Sequence, residues 1–308
     1  MITTTEHGGV TVKELVLFQE YLRNVKNRAE KTIKAYSQDL REFFSVMGFS
    51  DAVNETTQRE VETVYITFLV DKGNGPASRS RKLSSVRAFY KWAVSNGIVV
   101  ENPVKNVEMP KIPQKEPKVM SNDEVFDVIL NAKEDESRES ALEAFRNLAI
   151  LSLMFNTGMR RAEVANATLE DLNLEDASLV VHGKGSKDRI VYFNDTTRAI
   201  LSEYVVSHRN NFKPAQNSKY LFVSKRSEKL CDEAINRIVN KYFEAAGVKE
   251  KGYTAHSTRK VFATNVYRNT RDISVVQKLL GHNNPQTTMK YAMVGEDLKR
   301  QAAMTVNF

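Results

Sequence analysis

Cysteine is nearly absent from this chain: Cys231 is the only one in 308 residues. It has no partner for an internal disulfide, which suits a reducing cytoplasm, and its plain reading is a small core residue. Long apolar runs are missing too. The greasiest stretch, 145–155, falls well short of the roughly 20 residues of a membrane span and carries Arg146 and Asn147. It reads as a buried core helix, and no membrane partner is expected. The opening residues, MITTTEHGGVTV, have no basic segment followed by an apolar run, so a secretory leader is not expected. Histidines number five, and His7, His182 and His208 fit no metal-ligand spacing, so no metal site is expected from them. Acidic residues are in deficit: 38 against 45 Lys and Arg gives a net charge of +7. That balance favours a polyanion as partner, although basic proteins without one are common.

Proline is scarce, 7 in all, yet Pro103, Pro110, Pro113 and Pro117 crowd one span. Proline fixes φ and lacks a donor, so 103–117 reads as an extended linker between two domains. Residues 1–10 are expected to be disordered. The segment 11–102 then reads as a helical domain. Thr11 and Glu14 have capping-box spacing. Ile33, Tyr36, Leu40, Phe43 and Met47 recur at helical spacing and Gly48 stops them. Helices over about Gln58–Lys72 and Ser78–Asn96 complete it. The last begins SRSRKLSSVR, and Arg79, Arg81, Lys82, Arg87 and Lys91 make it basic without sharing one face. They are either a solvated helix surface or contacts to DNA phosphates.

The second domain, 118–308, opens with another capping box, Ser121 and Glu124. A long helix is expected from about Arg138 to Thr157. Two β-rich runs, Leu179–His182 and Arg189–Phe193, flank a Gly-rich turn and predict a hairpin. Helices are expected at Asp195–Ser207 and Asp232–Ala246, with a short strand at Tyr220–Val223 between them. From Tyr253 the chain is expected to be helical throughout. The fold class is therefore mainly α with a small β-sheet.

Chemistry concentrates near the end, where His256, Arg259, His282 and Tyr291 follow one another. Arg offers a planar fork for phosphate oxygens, His moves protons near neutral pH, and Tyr can be a covalent nucleophile. The turn GKGSK at 183–187 lacks the Walker spacing and is rejected as a nucleotide loop. Taken singly these signals are weak; their ordered combination is specific. TGMRRAEV at 157–164, GKGSKDR at 183–189, HSTR at 256–259 and LLGHNNPQTTMKYA at 279–292 together resemble the tyrosine recombinase, or phage integrase, family. The resemblance covers nearly the whole chain, and with no additional arm-binding module it resembles the Xer branch.

The resemblance implies a helical SAM-like core-binding domain and a mixed α/β catalytic domain. It implies a site-specific recombinase that cuts and rejoins double-stranded DNA through a 3′-phosphotyrosyl intermediate, without metal or cofactor. On it, Arg160 and Arg259 grip the scissile phosphate and Lys184 protonates the leaving 5′ oxygen, with Lys187 as competitor. His256 is the base, His282 binds a phosphate oxygen, Tyr291 is the nucleophile, and Glu163 orients its neighbours. The family usually has Leu and His where Thr258 and Lys260 stand, and Ser and Leu where Ala162 and Val164 stand. None of these changes removes a reacting group, and Lys260 adds positive charge.

Further implied are a homotetramer on two DNA sites, docking of the apolar C-terminal tail into a neighbouring subunit, and an accessory recombinase or directionality factor. Resolution of chromosome dimers and movement of a mobile element both fit. Two rivals stay open at this point: a non-catalytic DNA-binding protein on the same fold, and a type IB topoisomerase-like enzyme.

Overall fold

The computed structural model describes residues 12–48, 56–113, 118–135, 141–183, 188–281 and 288–289. Thr11, the start of the expected helix at Arg138, the turn 184–187 and everything from Lys290 onward lie outside the described residues. The chain divides into two compact units, Met1–Gln114 and Lys115–Phe308.

The first unit is helical. Helix α1 (Val12–Glu20) runs into a π turn at Tyr21–Val25. Helix α2 (Glu30–Met47) ends at Gly48, whose φ of 83° is the left-handed stop that glycine supplies without a steric cost. Helix α3 starts at Gln58–Glu60, widens at Val61–Tyr65 and finishes at Ile66–Asp71. Thr57 and Glu60 form its capping box. Helix α4 (Pro76–Ser95) has proline in its first turn, where the missing N–H leaves no bond unmade.

Aromatic rings fill the core between these helices. Phe43 meets Tyr65 edge-on at 4.8 Å, and Phe89 meets Phe18 edge-on at 5.4 Å and Phe44 edge-on at 5.3 Å. The front of the expected linker belongs to this unit. Val104 and Val107 are buried in its core, and Arg87 donates to their carbonyls at 2.9 and 2.7 Å.

In the second unit α5 (Asn122–Lys133) carries the Ser121–Glu124 capping box. Helix α6 (Ala141–Thr157) is the central rod, buried from Arg146 to Phe155. Short α7 (Arg161–Asn166) follows. The sheet has three antiparallel strands, β1 (Leu172–Asn173), β2 (Ser178–Val181) and β3 (Arg189–Tyr192). Leu179 pairs with Val191, both buried on the inner face. Then come α8 (Asp195–Glu203), α9 (Asp232–Ala245), α10 (Ala255–Thr270) and α11 (Ile273–Leu280). Helix α10 has two buried sides. Ala255 and Val261 face the main core, while Ala263 packs on Val276 and Leu280 of α11.

Three expectations are corrected. Tyr220–Val223 is no strand; it makes one bridge, Tyr220 to Thr168. The reason is Arg209, 2 % exposed, whose guanidinium takes the carbonyls of Ala215, Ser218, Tyr220 and Leu221 at 2.6 to 3.4 Å. The chain here turns its carbonyls toward this side chain rather than offering them to a neighbouring strand. Cys231 is exposed, because it is the N-cap of α9 and Leu230 takes the buried place. The stretch after Tyr253 is not helical throughout. Arg271 turns left-handed at φ 55°, and Asp272 caps a new helix by accepting from the Ser274 N–H at 2.7 Å.

Replacing Arg209 by Met strips these buried carbonyls of their donor. Each such acceptor costs about 1–3 kcal/mol, so a loss of roughly 3 kcal/mol or more is expected in urea unfolding.

Candidate active site

The ends of α6, α9 and α10 meet at one cleft, lined by Arg160, Asp232, Asn236, His256 and Arg259 among others. Arg160 precedes α7 and is exposed; His256 sits in the first turn of α10. Arg259, one helical turn further on, is 1 % exposed. Its Nη1 donates to the Gly158 carbonyl at 2.7 Å and its Nη2 to the Leu280 carbonyl at 2.5 Å. Those carbonyls lie at the C-terminal ends of α6 and α11, where acceptors lack helix partners and partial negative charge gathers. A buried cation is well placed there.

Gly158 makes this approach feasible. Its φ is +62°, and a Cβ there would stand 2.7 Å from Cδ1 of Phe262.

Glu163 orders the exposed arginine. It accepts from the Arg160 backbone N–H at 2.7 Å and from Arg160 Nη1 at 2.8 Å. Burial pushes its carboxyl pKa up, but hydrogen bonds from Arg189 and Arg160 outweigh that and hold it below the usual range. Arg189 was absent from the expected site. Its signal was in the sequence, as the last residue of GKGSKDR, but its partner Glu163 lies 26 positions away.

His256 is shifted downward. Burial disfavours its charged form, and Arg259, Lys260 and Arg160 add to that. It is therefore neutral at pH 7 and able to accept a proton. Lys260, one helical turn on, is half-buried and contributes to this field.

His182, just past the end of β2, lies between two carboxylates. Its Nε2 is 2.9 Å from Asp171 and its Nδ1 3.0 Å from Asp188. Hydrogen bonds from its ring to Asp188 and then Asp171 raise its pKa. Both nitrogens donate only in the protonated ring.

Of the expected DNA contacts in α4, three have internal partners. Arg81 pairs with buried Asp39, Lys82 with Glu42, and Arg87 with the carbonyls of Val104 and Val107. Asp39 is buried and needs that charge, which Arg81 supplies from a side chain that stays half exposed. Lys91 is exposed and Arg79 half-buried. Lys184, Lys187, His282 and Tyr291 lie outside the described residues.

A family model described as phage integrase family matches residues 118–297, and one described as phage integrase, N-terminal SAM-like domain, matches 15–97. The chain is similar to tyrosine recombinase XerC of Thermodesulfovibrio yellowstonii, with 32% identity over 285 residues, 92% of this chain and 91% of that protein. It is similar to the crystal structure of XerA recombinase, at 28% identity and a TM-score of 0.54, covering 96% of this chain and 99% of that one. Its fold also matches that of XerH site-specific recombinase in a post-cleavage complex with palindromic difH substrate, at TM-score 0.75 and 21% identity, covering 94% and 83%.

The two histidines are expected to titrate on opposite sides of the ordinary value of about 6.5. In an NMR pH titration His182 changes above it and His256 below it. The grip of His182 on Asp171 and Asp188 is complete below the ordinary value and is released as pH rises through the raised one.

Proposed function

The chain belongs to the phage integrase family of tyrosine recombinases, and we propose that the cleft of Arg160, His256 and Arg259 is where it holds the scissile phosphate of its DNA. The protein is a site-specific recombinase that cleaves and rejoins DNA through a covalent tyrosine intermediate. The observation that carries the placement is convergence: three residues spread over about a hundred positions line one cleft.

The chemistry follows from charge. A phosphodiester is anionic and repels nucleophiles. Attack by the Tyr291 oxygen on phosphorus adds charge to the phosphoryl oxygens in the transition state. Arg160 and Arg259 offset that charge, the kind of electrostatic contribution that is usually the largest. A free tyrosine has a pKa of about 10, so its proton must go elsewhere, and neutral His256 accepts it. His282 donates to a phosphoryl oxygen. Lys184 gives a proton to the departing 5′ oxygen, with Lys187 the alternative donor. The bond to the 5′ oxygen breaks as the bond to tyrosine forms. The ester keeps its energy for rejoining, so no nucleotide is consumed.

DNA phosphates outside the cleft are met by Arg79 and Lys91 of α4 and by Lys260 of α10. Lys82 and Arg87 are held by internal partners, while Arg81 keeps half of its side chain open to solvent beside Asp39. Four copies act on two sites, joined by docking of the C-terminal tail, with an accessory recombinase or directionality factor as a further partner. The lone exposed Cys231 suits work in a reducing cytoplasm.

The test uses a library of nicked duplexes that trap the intermediate. The unaltered chain is expected to leave denaturation-resistant protein–DNA adducts, whose sequencing maps the site. Tyr291→Phe is expected to bind the same duplexes and leave none. Arg160→Ala should slow adduct formation by on the order of a hundredfold. Adducts that persist in Tyr291→Phe would remove Tyr291 as the nucleophile.

A further inference from the structure

Arg189 is a nearly buried cation at the first position of β3, and nothing above gives it a task in catalysis. We propose that Arg189 is a positioning residue for DNA cleavage: it holds Glu163, and through it the Arg160 guanidinium, in register with the end of α11. This rests on the reading of the cleft given above and adds a residue to it.

The geometry is a closed chain of contacts. Arg189 Nη1 and Nη2 donate to the two Glu163 oxygens at 3.1 and 2.7 Å. Each of those oxygens also accepts one bond from Arg160, from its side chain at 2.8 Å and its backbone at 2.7 Å. The carboxylate thus has four donors for about four lone-pair sites and is saturated. It cannot swing without breaking charge-assisted bonds. Arg189 Nε meanwhile donates to the Leu279 carbonyl at 3.1 Å. The stem of Arg189 passes Gly281, where a Cβ would lie 3.0 Å from its Cδ.

A cation present only to neutralise Glu163 would need to face Glu163 alone. Arg189 does more, since its third donor reaches another element and its carboxylate partner is shared with Arg160. Lysine could not copy this, because a single ammonium cannot span two carboxylate oxygens and a carbonyl in fixed directions. The position on the chain matters as well. β3 leaves the turn 184–187, so one side chain links the root of that turn, the loop of Arg160 and the last carbonyls of α11.

The test compares the unaltered full chain with Arg189→Met, Arg189→Lys and Glu163→Gln on a nicked duplex it cleaves. Duplex affinity is expected to stay within about threefold, while single-turnover adduct formation slows about tenfold or more in Arg189→Met. Arg189→Lys, which keeps the charge, should recover only part of that rate. In an Arg160→Lys background, Arg189→Met should slow the remaining cleavage less than about twofold, because the group it positions has gone. Thermal melts identify loss of fold, and if Arg189→Met does not fold, Arg189→Lys carries the test with a rate about fivefold down at unchanged affinity. Unaltered cleavage in folded Arg189 variants overturns the inference alone, as does equal slowing in both backgrounds. Absence of adducts from the unaltered chain on every duplex overturns the functional reading and this inference together.

Discussion

A buried guanidinium closing on two helix ends is the contact from which the described site is built. Arg259 binds the carbonyl after α6 and the last carbonyl of α11. Burying a lone cation would be prohibitive; burying it between two negative helix ends is not. A buried carbonyl left without a donor costs about 1–3 kcal/mol, and Arg259 serves two of them. Stability and chemistry therefore ask for the same side chain. Arg259 also lines the cleft, so the group that fastens the two helix ends forms part of its wall. Arg160, in contrast, is exposed and has to be aimed by a neighbour, and Glu163 does so.

The first unit treats its charges differently. Asp39 is buried within an aromatic core and accepts from Ser85 at 2.7 Å as well as from Arg81. Glu42 receives both Lys72 and Lys82. Arg87 fastens the chain that leaves α4 by its carbonyls. A helix that is basic on paper is thus only partly basic toward solvent. Lys82 and Arg87 are held by partners inside the unit, whereas Lys91 is exposed.

How much could be read from the sequence follows from whether a signal is local. Gly48, Ser121 and Glu124 act on neighbours within one turn, and the helices they bound were legible. The hairpin was legible from two β-rich runs around a Gly-rich turn, though β1, a two-residue strand, carries too little pattern to see. Tyr220–Val223 misled because its fate is set by Arg209, whose five donors can collect carbonyls from a loop. Cys231 misled because a small residue suits a cap as well as a core. His256, Arg259 and Arg160 were legible through resemblance of ordered motifs. Arg189 sat in one of those motifs, yet its work is apparent only when Glu163 and Leu279 are seen beside it.

The seat of α11 has a further consequence. Its apolar contact with α10 is small, comprising Val276 and Leu280 on Ala263 with Phe262, Val266 and Tyr267 around them. Oily contact has no preferred direction and lets a cylinder roll. Hydrogen bonds are directional, and Leu279 and Leu280 are each pinned by a different arginine. Adjacent carbonyls lie about 100° apart around a helix axis, so two pins fix the rotation of the cylinder as well as its height. Helix α11 is thereby held at one angle, as a lock barrel is by its pins.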